Sequence, residues 1–222
     1  MAYVLGFDVY DTLVDPQGMQ RHLRPLVGDL ADRFATLWRT KQLEYAFRRG
    51  VMGKYENFSL CRRQALIYTM QTFKVALSSQ AQEQMMADYQ DLPVFVDVVH
   101  GLRALQAQGH KLVTFSNGTE LILRNMLSRA GLLPYFECVI SADDIRAFKP
   151  SPAVYIYLAR SLNRPLHETW LVSSNTWDVI GAKAVGLKAV WVKRNSDAVF
   201  DPWGIEPDLI IKDFIELAGR LV

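Results

Sequence analysis

Cysteine is scarce in this chain. Only Cys61 and Cys138 occur among 222 residues, far apart and without CxxC spacing. That pattern offers neither a disulfide framework nor a thiolate metal site, and two inert, buried thiols in a reducing cytosol are expected. Long apolar runs are missing too; no stretch approaches the roughly 18 residues of a membrane span. The opening Met-Ala-Tyr-Val-Leu-Gly-Phe has no basic n-region and meets Asp8 too early for a signal peptide, so a cytoplasmic protein is expected. Lys and Arg form no basic tract, and the formal net charge is only +2, so no nucleic-acid partner is expected. His22, His100, His110 and His167 are scattered and match no ligand spacing, which leaves no predicted metal site. There is no internal repeat, low-complexity tract or flexible linker.

Half of the residues, 50%, are hydrophobic, enough for one large α/β domain with a smaller second lobe. Near-continuous apolar runs, the pattern of strands covered on both faces, lie at Tyr3 to Phe7, Lys111 to Phe115, Cys138 to Ile140, Trp170 to Val172, Ala189 to Val192 and Leu209 to Ile211. Helical patterns separate them. Val98 to Gln108 stops at Gly109, Glu120 to Arg129 near Gly131, and Asp178 to Ala184 before Gly186. Pro152 to Ser161 follows Ser151, which suits an N-cap with proline at N1. Such alternation predicts an α/β fold with a doubly wound parallel sheet. From Pro16 to about Pro93 it breaks down: Leu30 to Arg49 and Leu60 to Thr72 read as helices, and no strand is convincing. The predicted organisation is a core of residues 1–15 and 94–222, with a helical cap, 16–93, inserted after the first strand.

Ligands of open α/β sheets bind beyond the carboxyl ends of strands. Those ends carry Asp8, Tyr10 and Thr12; Ser116-Asn117-Gly118; Lys149-Pro150, with Tyr155 in the helix beyond; and Ser173-Ser174-Asn175-Thr176-Trp177-Asp178. Each feature alone is weak, since an Asp at a strand end is commonly a cap and Ser-Asn-Gly a common turn. Their joint order along one sheet edge is the informative observation. A rigid strand aims Asp8 while the following turn exposes it, as a nucleophile requires.

That order resembles the haloacid dehalogenase superfamily. Asp8-Val9-Tyr10-x-Thr12-Leu13, Ser116-Asn117-Gly118, Phe148-Lys149-Pro150 and Ser173-Ser174-Asn175-x-Trp177-Asp178, with Trp38-Arg39-x-Lys41-Gln42-Leu43-Glu44-Tyr45 in the insert, are similar to the L-2-haloacid dehalogenases within it. The superfamily's phosphatases carry an acid two residues after the nucleophile and two acids in the last motif around Mg²⁺. Here Tyr10 and Ser174 stand at two of those positions, so acid/base groups and anionic metal ligands are lost.

The resemblance implies hydrolysis of a 2-haloalkanoate without metal or cofactor. Asp8 attacks the halogen-bearing carbon, halide leaves toward Arg39 and Asn117 with Phe58 as an apolar wall, and water then attacks the Asp8 ester. One inversion turns an L-2-haloacid into a D-2-hydroxy acid. Ser116 and backbone N–H groups after strand one, at Val9 and Tyr10, are expected to hold the substrate carboxylate. Lys149 keeps Asp8 ionised. Asp178 activates water, with Asn175 and Ser173 fixing it, while Thr12 and Tyr155 orient. Tyr10, Leu43, Phe58 and Trp177 wall the alkyl pocket. The resemblance further implies a homodimer. Two positions depart from it: Asp11 stands where Gly is usual, and Thr40 where Gln is frequent. The competing readings are a Mg²⁺-dependent phosphatase and a catalytically silent binding module.

Overall fold

A computed structural model of the chain describes residues 2–221. Six parallel strands form one sheet in the order β3-β2-β1-β4-β5-β6: β1 Val4–Phe7, β2 Lys111–Ser116, β3 Cys138–Ser141, β4 Thr169–Ser173, β5 Lys188–Val192 and β6 Leu209–Ile211. All six coincide with the apolar runs, with no end moved by more than one residue. β1 is central and buried along its whole length, which is why its sequence is apolar without alternation. Its register sets Phe7 opposite Thr114 on β2 and Val172 on β4, so the three strands end at one level. The chain order reverses on either side of β1, creating the crevice where such sheets bind ligands.

Helices cover both faces. α5 (Val98–Ala107), α6 (Glu120–Arg129) and α9 (Phe214–Arg220) share a core with Leu5 and Phe7. α7 (Pro152–Ser161) and α8 (Thr176–Ala184) pack on the opposite face with Val113, Phe115 and Leu171. Gly109, Gly131 and Gly186 follow helix ends with positive φ, where a side chain is disfavoured. Ser151 occupies the N-cap position of α7, but its side chain makes no capping bond; Pro152 supplies the start.

Between β1 and α5 the chain contributes α1 (Gln20–Val27), α2 (Ala31–Met52), α3 (Phe58–Phe73) and α4 (Ser79–Asp88). α2 and α3 match the two sequence patterns. α1 buries only Leu23 and contains Pro25, and α4 buries only Met85, which hid them; α9 is only seven residues long. The outgoing and returning segments are tied together: Val14 bridges Val94, the Asp15 N–H donates to Pro93 at 2.8 Å and the Phe95 N–H to Leu13 at 3.1 Å. Phe34, Trp38, Phe58 and Tyr89 of the insert pack into the same apolar cluster as Tyr10, Leu13 and Val14. Of the two thiols, Cys61 is buried, whereas Cys138, first on β3, is only half-buried because its strand end meets solvent.

Candidate active site

Asp8 follows β1, and its N–H extends the ladder to the Val172 carbonyl at 3.0 Å. Its carboxylate is held by donors from three segments. Oδ1 accepts from Lys149 Nζ at 3.1 Å. Oδ2 accepts from Thr12 Oγ1 at 3.1 Å and Asn175 Nδ2 at 2.9 Å, with Ser173 Oγ at 3.5 Å. Asn175 also donates to the Tyr10 carbonyl at 3.2 Å, which fixes its amide.

Lys149 is 1% exposed, and its ammonium has three partners: Asp8, Asp178 Oδ2 at 2.8 Å and the Phe115 carbonyl at 2.8 Å. Its own N–H donates to Asn117 Oδ1 at 2.8 Å, so the amide after β2 positions the lysine backbone. Asp178, in the first turn of α8, is wholly buried, and its second oxygen accepts from Tyr155 at 2.8 Å. Burial pushes its carboxyl above the usual range; Asp8 adds to that, while Lys149 and Tyr155 act in the opposite sense. Gly181 makes the Tyr155 contact possible, because a Cβ there would lie 2.5 Å from the tyrosine hydroxyl. Burial, and the Asp178 charge after it, hold the Tyr155 phenol well above its ordinary value, so it donates rather than ionises.

The turn after Asp8 is clamped. Ser174 N–H donates to Thr12 Oγ1 at 3.0 Å, and the Ser174 hydroxyl donates to the Asp11 carbonyl. Arg194, held by Asp97 at 2.5 Å, donates to the Thr12 carbonyl at 2.7 Å. The Val9 carbonyl accepts from Leu13 N–H at 2.8 Å and closes the turn.

Opposite this cluster stand side chains of α2 and α3. Arg39 Nη2 donates to Asp11 Oδ2 at 2.6 Å and Nη1 reaches Gln42 at 3.4 Å. Arg62 donates to the Tyr10 hydroxyl at 3.0 Å and lies 3.9 Å from the Tyr89 ring centre. Both guanidinium carbons are 5.4 Å from the centre of the Tyr10 ring. Phe58 packs beside Tyr10 at 6.0 Å between ring centres. Nε of Arg39, Nε of Arg62 and Nε2 of Gln42 are buried without a partner.

Asp8, Thr12, Lys149, Tyr155, Ser173, Asn175 and Asp178 therefore form one hydrogen-bonded network, with Asn117 bound to its lysine. Ser173 and Asn175 hold Asp8 rather than Asp178: they lie at and just past the end of β4, the direct neighbour of β1, whereas Asp178 lies behind Lys149. Ser116, buried at the end of β2, accepts from Gly118 N–H at 3.4 Å. Arg39, Tyr10 and Phe58 come together, but the Tyr10 wall is flanked by two cations instead of being purely apolar. Leu43 is half-buried on α2; Trp177 packs against Phe47 of the same helix, 5.1 Å between ring centres. Thr40 is exposed. Sequence reasoning missed Arg62, Gln42, Tyr89 and Arg194. Arg62 had a signal: it falls on the buried face of α3 with Phe58, Ala65, Leu66 and Thr69, where an apolar residue is expected.

Two acids and a lysine are thus fixed against one another near these strand ends, and the arginines supply positive charge across from them. Comparison with known proteins bears on this chemistry. The chain is 34% identical over 207 residues to haloacetate dehalogenase H-2 of Moraxella sp. (strain B), covering 93% of this chain and 92% of that one. It is 32% identical over 210 residues to an (S)-2-haloacid dehalogenase of Pseudomonas sp. (strain YL), covering 94% and 90%. The L-2-haloacid dehalogenase from Xanthobacter autotrophicus, solved with chloropropionic acid covalently bound, superimposes with a TM-score of 0.91 at 29% identity over 100% of this chain and 98% of that one. Residues 4–186 match the family model for haloacid dehalogenase-like hydrolase, and the chain, whose Asp8, Lys149 and Asp178 meet at the ends of its central strands, belongs to that family.

Proposed function

We propose that this protein hydrolyses short (S)-2-haloalkanoic acids to (R)-2-hydroxyalkanoic acids and halide, through an ester formed on Asp8. The observation that carries the reading is the Asp8 carboxylate, ion-paired to buried Lys149 and held by Thr12 and Asn175. A covalently bound chloropropionic acid in the Xanthobacter autotrophicus relative supports the same intermediate.

One Asp8 oxygen attacks the carbon from behind; the C–O bond forms as the C–halogen bond breaks, and its electron pair leaves with the halide. No proton is needed, so a site with Tyr10 where an acid would stand loses nothing at this step. Arg39 and Asn117 receive the halide. Ser116 and backbone N–H groups at Val9 and Tyr10 hold the substrate carboxylate. Water then adds to the ester carbonyl carbon, giving one proton to Asp178; the bond between that carbon and the substrate-side oxygen breaks, the leaving alkoxide takes the proton back from Asp178 to become the hydroxyl, and the second water proton passes to solvent as the Asp8 carboxylate is restored. The hydroxyl oxygen of the product thus comes from Asp8. Burial raises the proton affinity of Asp178, which suits it to that role. Leu43, Phe58 and Trp177 bound the alkyl side.

The donor set does not suit a divalent cation. The Lys149 ammonium sits against both carboxylates, and Ser174 spends its hydroxyl on a backbone carbonyl. We further assign residues 1–15 and 94–222 to a core and 16–93 to a cap that closes over the crevice; the paired segments at Val14 and Val94 are the support for a hinge there. A homodimer and a cytoplasmic location complete the reading. No helix among the described residues is long and apolar enough to cross a membrane.

The test is a single turnover of L-2-chloropropionate in ¹⁸O-labelled water with enzyme in excess and no added metal. Halide release, with the label first in the protein and unlabelled D-lactate as product, is the expected result. Label directly in the lactate, or no halide release alongside EDTA-sensitive cleavage of a phosphate ester, overturns the reading.

A further inference from the structure

Asp11 adopts a left-handed backbone conformation, φ 66°, that favours glycine. The turn is held there on both sides: its N–H donates to the Val14 carbonyl at 2.9 Å and its own carbonyl accepts from the Ser174 hydroxyl. A backbone fixed in this way delivers the Asp11 side chain to α2, where it meets Arg39 at 2.6 Å. The Arg39 side chain is 10% exposed and that of Asp11 33%, so the guanidinium is the more deeply buried of the pair. Arg39 has little else to bind. Its contact with Gln42 is long, at 3.4 Å, and its buried Nε is unpartnered. Burial opposes the Arg39 charge, and the Asp11 carboxylate, together with Tyr89 and Asp8, more than offsets it. The shortest hydrogen bond of this cation is thus already made to an anion of the protein itself.

We infer that Asp11 is a positioning residue that competes with external anions for Arg39, so that halide and haloacid bind more weakly here than they would with an uncharged residue at position 11. This rests on the reading of Arg39 as the halide-receiving group. The Asp11 carboxylate takes one charge-assisted hydrogen bond from this guanidinium, through Nη2. A halide that approaches Nη2 must share it with Asp11 or displace it, one that approaches the unpartnered Nε meets a guanidinium whose charge Asp11 already offsets, and the negative charge of Asp11 repels halide and haloacid alike. The same competition returns Arg39 to Asp11 when the halide departs, which speeds product release.

Asp11→Asn tests the charge while keeping a side chain that tolerates positive φ; Asp11→Gly relieves the backbone as well. Bromide binding to the resting full-length protein, read by ⁸¹Br NMR line broadening, needs no turnover. Bromide Kd is expected to fall about tenfold in Asp11→Asn, the scale of one charge-assisted hydrogen bond, with KM for L-2-chloropropionate falling in parallel and kcat falling or holding. The gain should vanish when Asp11→Asn is combined with Arg39→Met, which a merely structural role would not produce. Unchanged or weaker bromide binding in Asp11→Asn, or a gain that survives loss of Arg39, overturns the inference. Tighter bromide binding in a protein that releases no halide from any haloacid would sink the dehalogenase reading and leave the competition standing. Halide release with unaltered bromide Kd does the reverse.

Discussion

The two sides of the pocket treat buried cations in opposite ways. On the sheet side, Lys149 is saturated: two carboxylates and a carbonyl take its three donors, and both carboxylates are braced in turn, Asp8 by Thr12 and Asn175 and Asp178 by Tyr155. On the helical side, Arg62 is equally buried but meets only a phenol and two rings, and both arginines keep an unpartnered Nε. A saturated cluster is rigid and preorganised, which is what a nucleophile and its water-activating base need. An undersaturated one retains donors for something that comes and goes. Under the proposed function, bond formation would belong to the strand ends and anion reception to the helices above them.

The most damaging way to break the sheet side is Asp8→Asn. The isosteric amide keeps the volume but removes the attacking oxygen anion, so halide release is expected to fall by at least about 10⁴-fold, as when other nucleophiles are removed. Circular dichroism should show an intact fold. Residual turnover near wild type would mean that the oxygen arrives from elsewhere.

Lys149→Met attacks the same cluster through stability. Two carboxylates then share a dry site without their cation, and losing one partner of a buried pair costs about 3–5 kcal/mol. The sign with pH follows. Without Lys149 the Asp178 carboxyl, already raised by burial, loses the group that most lowers it and holds its proton more tightly folded than unfolded, so stability falls as pH rises through and above the carboxylate range. Urea melts at pH 5 and pH 8 should show the deficit larger at pH 8. An equal deficit at both would mean that packing, not charge, is what Lys149 contributes.

The contrast between the two sides also explains what could be read from the sequence. Strand-borne groups were legible because a strand end fixes a direction: Asp8, Ser116 and Ser173 lie within one residue of strand termini, and parallel register brings them together. Lys149, Tyr155 and Asp178 were reached through the resemblance and their order along the sheet edge. Arg62 and Gln42 were not reached, because their role depends on how α2 and α3 cross above Tyr10, and helical periodicity gives a buried face without naming what it faces. The partner choice of Ser173 and Asn175 was hidden for a similar reason: both acids lie near β4, and only the strand order puts Asp8 first. Asp11 was visible as an oddity, but its contact with Arg39 needed the loop and α2 in place together.

Tyr155→Phe is a gentler probe of the saturated side. It removes one hydrogen bond to a charged, buried carboxylate, at a cost of about 1.5–3 kcal/mol. Tyr155 favours the ionised form of Asp178, so its loss raises an already raised carboxyl further. If Asp178 must be ionised to take a proton from water, the acid limb of the kcat profile moves to higher pH in the variant. A limb that stays in place would remove Asp178 from the hydrolytic step.

Arg62→Met should have the smallest effect on stability, although it deletes a buried positive charge just as Lys149→Met does. Among the described residues no carboxylate lies within ion-pair distance of Arg62, so its removal strands no opposite charge. What is lost is one hydrogen bond to Tyr10 and the attraction to two aromatic faces, of the order of 1–2 kcal/mol for a desolvated cation. What is regained is the desolvation cost of a guanidinium held among rings, and an apolar chain of similar length refills the space. The two nearly cancel, and the change in unfolding free energy is expected to stay within about 1 kcal/mol of zero. Thermal and urea denaturation at neutral pH measure it directly. A loss comparable to that of Lys149→Met would show that Arg62 is a structural keystone, and the division between a saturated sheet side and a receptive helical side would fail.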